Sequence, residues 1–474
     1  MFKDRIFVTL ILVNLFLFLV QLSLIFLKIS SLPNLIPVWY TNPWGQSQMG
    51  GRLLLLTLPA ISLIISLINN YLALMLIWRK ETLSAYCLVF FNILLQAVLT
   101  VCLFRVFLIY LSSFTTWPWL IRPSVILTLT VSFIISLLFT LPVIKLAGRF
   151  GFIDNPQTHK HPAMLLTRSV PRAGALPLFL SLLLTSYFFV GWDKKILAVM
   201  MAGFVGIVLG IIDDKYDLNP YLRFGAQIIC ILIVIFGGVQ IDYINHPSGI
   251  GVLPLTKIFI NFGHNFSIQP LSFLLAFFWI LWNMNMISWS NGVDGQFPLI
   301  TTVAALVIGI LGLSDVNQLR TSTIAFAVAG AALGTLPFSW YPSKILYGFG
   351  ATAIGLVLSS LSILNGTKVA TTLLVLLVPS LDAILTIVRR IRSGRSPFWG
   401  DRSHLHHKLL DLGLSHRQIA LFYGLAGVLL GSISIVSSGQ GKLIAIITAS
   451  GGFVFFLTLL NYLPEIKNGK PQGD

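Results

Sequence analysis

Asp213-Asp214-Lys215-Tyr216-Asp217 places three carboxylates within five residues. Carboxylates this close repel one another unless a cation lies among them. On a helix Asp213 and Asp217 share a face at i,i+4, and Asp214 points about 100° away. Such a set suits Mg²⁺, a hard ion that takes oxygen ligands and commonly shares diphosphate oxygens; a solvated acidic loop is the alternative. A second group, from Asn283 through Asn285, Ser288 and Asn291 to Gly292-Val293-Asp294-Gly295, collects small polar side chains and a single carboxylate with no basic residue. Glycines there let the backbone approach a ligand and amides read a base or a sugar, although a capped helix end would use the same residues. A third group is Asp401-Arg402-Ser403-His404-Leu405-His406-His407-Lys408, preceded by Arg389, Arg390, Arg392 and Arg395 and followed by His416. Imidazoles and guanidiniums at this density suit phosphate oxygens. A zinc site is the rival, but it lacks a nearby Cys and the His-Glu-x-x-His spacing; a basic loop lying on anionic lipid is another. The loop 146–172 is basic too, with Arg149, His159, Lys160, His161, Arg168 and Arg172 around Asp154. Asp382 stands inside an apolar stretch, three residues after Pro379. It is a functional candidate by virtue of its setting, or a structural partner of Arg389 or Arg390.

The elements that must position these groups are membrane helices. The 474 residues include 31 basic and 15 acidic ones, so 10% are charged and 56% are hydrophobic. An ordinary soluble domain carries about 25% charge, and disorder needs low hydrophobicity, so both are excluded. Continuous apolar runs argue against an alternating outer-membrane barrel. The expected fold is an all-α polytopic integral membrane protein with about fourteen spans. They lie near 6–27, 53–77, 83–111, 122–145, 173–190, 196–212, 222–239, 271–287, 299–313, 322–338, 346–363, 370–388, 417–437 and 443–463. A cytoplasmic N-terminus puts most Lys and Arg on the inner side, together with all four polar groups. Few carboxylates then lie outside, at Asp193, Asp242 and Asp315. The first span follows Lys3 and Arg5 without a small-residue cleavage site, which predicts an uncleaved span. Cys87, Cys102 and Cys230 all fall in predicted spans at no metal or disulfide spacing. The net charge of +16 is divided between the two faces and implies no nucleic-acid partner.

The run Gly210-Ile211-Ile212-Asp213-Asp214-Lys215-Tyr216-Asp217, the Asn285 to Gly295 segment, Pro379 with Asp382, and Asp401-Arg402 with His404-Leu405-His406-His407 together resemble one family. It is the polyprenyl-phosphate N-acetylhexosamine-1-phosphate transferases of glycosyltransferase family 4, and within it the undecaprenyl-phosphate N-acetylglucosamine-1-phosphate branch. Arg168, Pro171, Arg172 and Gly174 resemble its first cytoplasmic loop. The resemblance implies an eleven-helix transferase core over 121–474, preceded by a three-helix extension over 1–120 that carries no readable motif. It implies a plasma-membrane enzyme with cytoplasmic loops, using polyprenyl phosphate, a UDP-N-acetylhexosamine and Mg²⁺, with Mn²⁺ as a substitute. By resemblance the catalytic residues are Asp213, Asp214, Asp217, His404, His406 and His407, and the metal ligands Asp213, Asp214 and Asp294. Substrate contacts fall to Asn285, Asn291, Asp294, Arg168, Arg172, Asp401 and Arg402. Oligomers or other wall enzymes are further expected partners. The sequence departs from the family at Phe349, where a metal-ligating Asp is usual, at Asn291, another usual Asp, and at Ser288, a usual Asn. These departures keep a second expectation open, a non-catalytic relative that binds lipid phosphate or nucleotide sugar as a scaffold. A transporter is disfavoured because the polar residues gather at one surface, not at the midplane.

Overall fold

A computed structural model describes residues 5–29, 32, 34–37, 49–78, 85, 88–89, 92–93, 96, 103, 123–154, 168–245, 251–258, 260–261, 267–366, 368–396, 402, 404–437 and 439–462. The chain divides into two compact units, Met1–Trp117 and Pro118–Asp474. The first holds helices α1 (Arg5–Lys28) and α2 (Thr57–Trp78) and a small antiparallel ribbon of β1 (Leu35–Pro37) and β2 (Met49–Gly51). Residues 85, 88–89, 92–93, 96 and 103 are also helical, while most of the expected span 83–111 lies outside the described residues. Phe7, Ala73, Ala85 and Val89 form a buried apolar cluster. Beside it runs a polar seam. Gln21 Nε2 donates to Gln96 Oε1 at 2.8 Å, and Ser62 Oγ donates to the same oxygen at 2.6 Å. In lipid a polar group has no water to turn to, so such bonds hold helices together.

The second unit is a helical bundle. Its chain order runs α3 (Pro123–Phe150), α4 (Ala175–Val190), α5 (Lys194–Tyr216), α6 (Pro220–Phe236), α7 (Pro270–Trp289), α8 (Gln296–Gly312), α9 (Leu319–Ser339) and α10 (Ala351–Leu364). It closes with α11 (Lys368–Val375), α12 (Leu377–Arg392), the short α13 (Leu405–Asp411), α14 (His416–Val436) and α15 (Gly439–Tyr462). Helix α9 is rich in Ala, Gly, Ser and Thr and is buried along most of its length. Its small side chains let α3 approach closely enough for serine-to-carbonyl bonds. Ser132 Oγ donates to Ala327 O and Ser136 Oγ to Ala331 O, each at 2.7 Å. Ser181 Oγ on α4 donates to Ser132 O at 2.6 Å and extends the seam.

Helix ends place the polar groups. Asp193 caps α5 by accepting from Ile196 N at 2.8 Å. The helix stops where Asp217 turns left-handed at φ 48°, a conformation that Asp tolerates better than most residues. Asn219 then caps α6, whose first residue Pro220 needs no helical N–H donor. Between α11 and α12 the chain bends by 82°, and Pro379 lies in the first turn beyond the bend.

The protein is polytopic and helical. Among the described residues seven helices are long and apolar enough to cross a membrane, or eight if the bent pair is one span. The stretches 11–23, 175–190, 220–236, 296–312 and 348–364 are shorter apolar helices of 10–17 residues. A helix of 16 residues such as α4 reaches about 24 Å, against a hydrocarbon core of roughly 30 Å. The predicted bounds 173–190, 222–239 and 299–313 lie within three residues of those of α4, α6 and α8. The all-α expectation needs correction in detail. Beyond β1 and β2, antiparallel ribbons pair β3 (Ile153–Asp154) with β4 (Val170–Pro171), β5 (Tyr243–Asn245) with β6 (Val252–Pro254), and β7 (Ile260–Asn261) with β8 (Ser267–Ile268).

Candidate functional site

The last turn of α5 carries Asp213 and Asp214, both buried, and delivers Asp217 to the surface. Arg223, on the first turns of α6, reaches back across the α5–α6 corner. Its Nε donates to Asp213 Oδ1 at 2.5 Å and its Nη2 to Asp217 Oδ1. Leu218 N donates to Asp213 Oδ1 at 3.1 Å. On the other side Arg172, just past β4, lies 3.6 Å from both Asp214 and Asp154. Two guanidiniums therefore bracket two adjacent buried carboxylates. The Oδ2 atoms of Asp213 and Asp214 accept no hydrogen bond from the described residues.

The segment after α9 joins this acid pair to the turn that follows α7. Phe349 N donates to Asp214 Oδ1 at 3.0 Å. Gly348 precedes it at φ +58°, and a Cβ there would fall 2.0 Å from Asp214 Oδ2. Only glycine lets this backbone close over the carboxylate. Further back, Leu346 N donates to Pro171 O and Gly174 N to Leu346 O, both at 2.7 Å, so the loop bearing Arg172 is stitched to the same segment. Ser343 N donates to Asp294 Oδ2 at 2.9 Å, and Arg168 Nη2 donates to Ser343 O. Asn285 is locked in a reciprocal amide pair: its Nδ2 donates to Gln227 Oε1 at 3.0 Å and its Oδ1 accepts from Gln227 Nε2 at 3.2 Å.

The histidines form a third region. His404, His406 and His407 are all buried. The His404 and His406 rings lie parallel within 7°, with centroids 5.5 Å apart, and His406 and His407 are 4.3 Å apart. Asp382 on α12 accepts from Leu405 N at 2.7 Å, and its other oxygen lies 3.0 Å from His404 Nδ1. His406 Nδ1 is buried without a hydrogen-bond partner, and its Nε2 faces Gly292 so closely that a Cβ there would be 2.1 Å away. The turn after α7 thereby touches the histidine group through Gly292. It also approaches α14 through Asp294 N, which lies 3.4 Å from His416 Nδ1.

Other expected residues stand apart. Arg402 is exposed and pairs with Asp411 at 3.5 Å. Asn291 is half-buried, with its backbone N donating to Ser288 O at 3.2 Å. Asp401, His159, Lys160 and His161 lie outside the described residues. Among the described residues no three Asp, Glu, His or Cys side chains converge as a metal set. One oxygen of Asp294, Oδ2, accepts Ser343 N at 2.9 Å. Sequence reading did not single out Arg223, Gln227 or Ser343 as site residues. Arg223 alone left a signal, a lone cation six residues after Asp217 at a helix start.

Burial, reinforced by His407, His404 and His416, pushes the His406 imidazole well below the ordinary histidine value and keeps it neutral at pH 7. The unfolded chain takes up a proton below about pH 6.5 that the folded chain refuses. The contribution to stability is complete above that pH and falls as the pH drops. Thermal midpoints measured across this range should decline less steeply with acid in His406→Gln than in the parent. Equal slopes would show that His406 is not the group responsible.

Fold and site together define a multi-pass membrane protein whose polar surface joins a guanidinium-bracketed acid pair to a histidine cluster. The sequence model of glycosyl transferase family 4 matches residues 196–366, from α5 to the end of α10. The chain is similar to the probable undecaprenyl-phosphate N-acetylglucosaminyl 1-phosphate transferase of Bacillus subtilis, 29% identical over 322 residues, 65% of this chain and 84% of the relative. It is similar to the decaprenyl-phosphate N-acetylglucosaminephosphotransferase of Mycobacterium tuberculosis, 30% identical over 328 residues, 61% of this chain and 76% of the relative. The undecaprenyl-phosphate alpha-N-acetylglucosaminyl 1-phosphate transferase of Pasteurella multocida is 29% identical over 329 residues, 66% of this chain and 86% of the relative. The chain belongs to glycosyl transferase family 4.

Proposed function

We propose that this chain transfers N-acetylhexosamine 1-phosphate from a UDP-sugar to a polyprenyl phosphate, releasing UMP and starting a cell-envelope glycan. The relatives' names support the lipid acceptor and the transferred group. The observation that carries the reading is the joining of the Asp213–Asp214 pair to Asp294 through Phe349 and Ser343 of one segment. In the step, a lipid phosphate oxygen bonds to the phosphorus nearer the sugar. The bond from that phosphorus to UMP breaks, and UMP leaves with the electron pair. Such a reaction asks the protein for positioning and charge neutralisation more than for covalent work. Arg172 and Arg223, held by carboxylates on either side, are placed to draw phosphate oxygens toward the acid pair.

The residues fit Mg²⁺. Asp213 and Asp214 each keep an oxygen without a donor among the described residues, and this ion commonly binds one or two carboxylates and completes its shell with phosphate and water. Bound there, Mg²⁺ or Mn²⁺ would neutralise diphosphate charge. The site loops and N-terminus are read as cytoplasmic in the plasma membrane, with fourteen spans once the shorter helices and the 83–111 stretch are included. Contacts with other wall enzymes or a second copy are assigned to the 1–120 extension or to the lipid-facing helices.

One observation favours a second reading, a non-catalytic scaffold. Phe349 offers no ligand, and its ring lies 5.8 Å from the Arg223 guanidinium. Purified protein incubated with Mg²⁺, polyprenyl phosphate and a panel of UDP-N-acetylhexosamines separates the two. UMP release supports the transferase; ligand binding with no release from any donor supports the scaffold. Phe349→Asp is expected to lower the Mg²⁺ concentration needed for half-maximal release on the order of tenfold, because it adds a carboxylate beside Asp214. An unchanged Mg²⁺ titration would show that position 349 has no bearing on the metal.

A further inference from the structure

Asp382 has no part in the transfer step, although both of its carboxylate oxygens are committed. One accepts Leu405 N at 2.7 Å and the other lies 3.0 Å from His404 Nδ1. Asp382 and His404 are both buried, on α12 and at the start of α13 respectively. The Trp289 ring, centred 6.4 Å away, and the parallel His406 ring confine the same imidazole. An ionised carboxylate has no proton to give, so His404 Nδ1 must carry the hydrogen. Nε2 is then the lone-pair nitrogen, and no described residue hydrogen-bonds to it.

We propose that Asp382 is a positioning residue which fixes the His404 tautomer, so that Nε2 exchanges a proton with a bound phosphate group. When a protonated phosphate oxygen meets Nε2, the O–H bond breaks and an N–H bond forms. The resulting imidazolium then donates from Nε2 to the same oxygen while Nδ1 continues to donate to Asp382. The phosphate ligand rests on the transferase reading; the tautomer rests only on the Asp382 geometry.

Asp382→Asn tests both parts. An amide has one acceptor oxygen, and Leu405 N, a donor only, requires it. The amide nitrogen must then face His404 Nδ1, which becomes the acceptor and moves the proton to Nε2. Diethyl pyrocarbonate acylates an unprotonated imidazole nitrogen, so mass spectrometry of the full-length protein reads the change without any turnover. His404 should label at Nε2 in the parent and severalfold less in Asp382→Asn. In the UMP-release assay kcat should fall about a hundredfold or more, as tautomer inversion does in other Asp–His pairs, with KM for the UDP-sugar little changed. Unchanged labelling overturns the tautomer assignment. Lost labelling with unchanged kcat overturns the role in transfer. If the parent releases no UMP, the transferase reading fails, while loss of labelling still supports the Asp382–His404 pair. Should Asp382→Asn fail to accumulate, Asp382→Glu retains two acceptor oxygens and must label at His404 Nε2; absence of label there overturns the proposal.

Discussion

Asp214→Asn should reduce UMP release by about 10²–10³-fold, the loss expected when a preorganised charge is removed from a buried site. The substitution is nearly isosteric. Its amide oxygen can still accept Phe349 N, and Arg172 keeps Asp154 as a partner at 3.6 Å. The thermal midpoint should therefore stay close to the parent value, which separates lost chemistry from lost folding. What disappears is one of two buried carboxylates able to face a cation while its neighbour is held by Arg223. Asp217→Asn should do far less. That side chain is 74% exposed and contributes one contact to Arg223, which Asp213 also anchors. Near-parental release in Asp214→Asn would remove the acid pair from the mechanism.

Gly292→Ala should lower kcat by about 10²-fold, the size of effect that a misplacement of roughly 1 Å produces in a site. The added Cβ would lie 2.1 Å from His406 Nε2 and 2.2 Å from Cε1. The ring cannot simply withdraw, since His404 is stacked on it and His407 lies beside it. Overpacking of this kind costs about 1–3 kcal/mol, so the variant should still fold. His406→Ala should impair transfer to a similar degree by a different route, deleting the ring. Combining the two removes the clash, and the double variant should be no worse than His406→Ala alone. Such non-additivity is the signature of a direct contact. Fully additive losses in a kinetic and thermal-melt cycle would show that Gly292 acts elsewhere.

The shared placement of the polar groups at helix ends is legible in the amino-acid sequence. Apolar runs of about 20 residues announce helices whatever their neighbours do, and charges in such a chain can gather only where those runs stop. That reasoning located Asp213 and Asp214 at the end of α5 and Asp294 just past α7. It also read Phe349 only as a missing ligand. In the fold the same residue contributes its backbone N–H to Asp214 and its ring to the Arg223 guanidinium.

By itself the sequence determined that this is a helical membrane protein with its acidic and histidine-rich groups at helix ends, since composition and local spacing carry that much. Tertiary structure alone decided which groups meet. Asn285 and Gln227 are 58 residues apart, Phe349 and Asp214 are 135 apart, and Asp382 and His404 are 22 apart across a helix end. No periodicity reports such pairs, because they follow from how helices pack and where backbone turns beside a side chain. The same packing set the roles of the histidines. It buried His406 against Gly292 and turned His404 toward Asp382, a distinction that the spacing His-Leu-His-His cannot express.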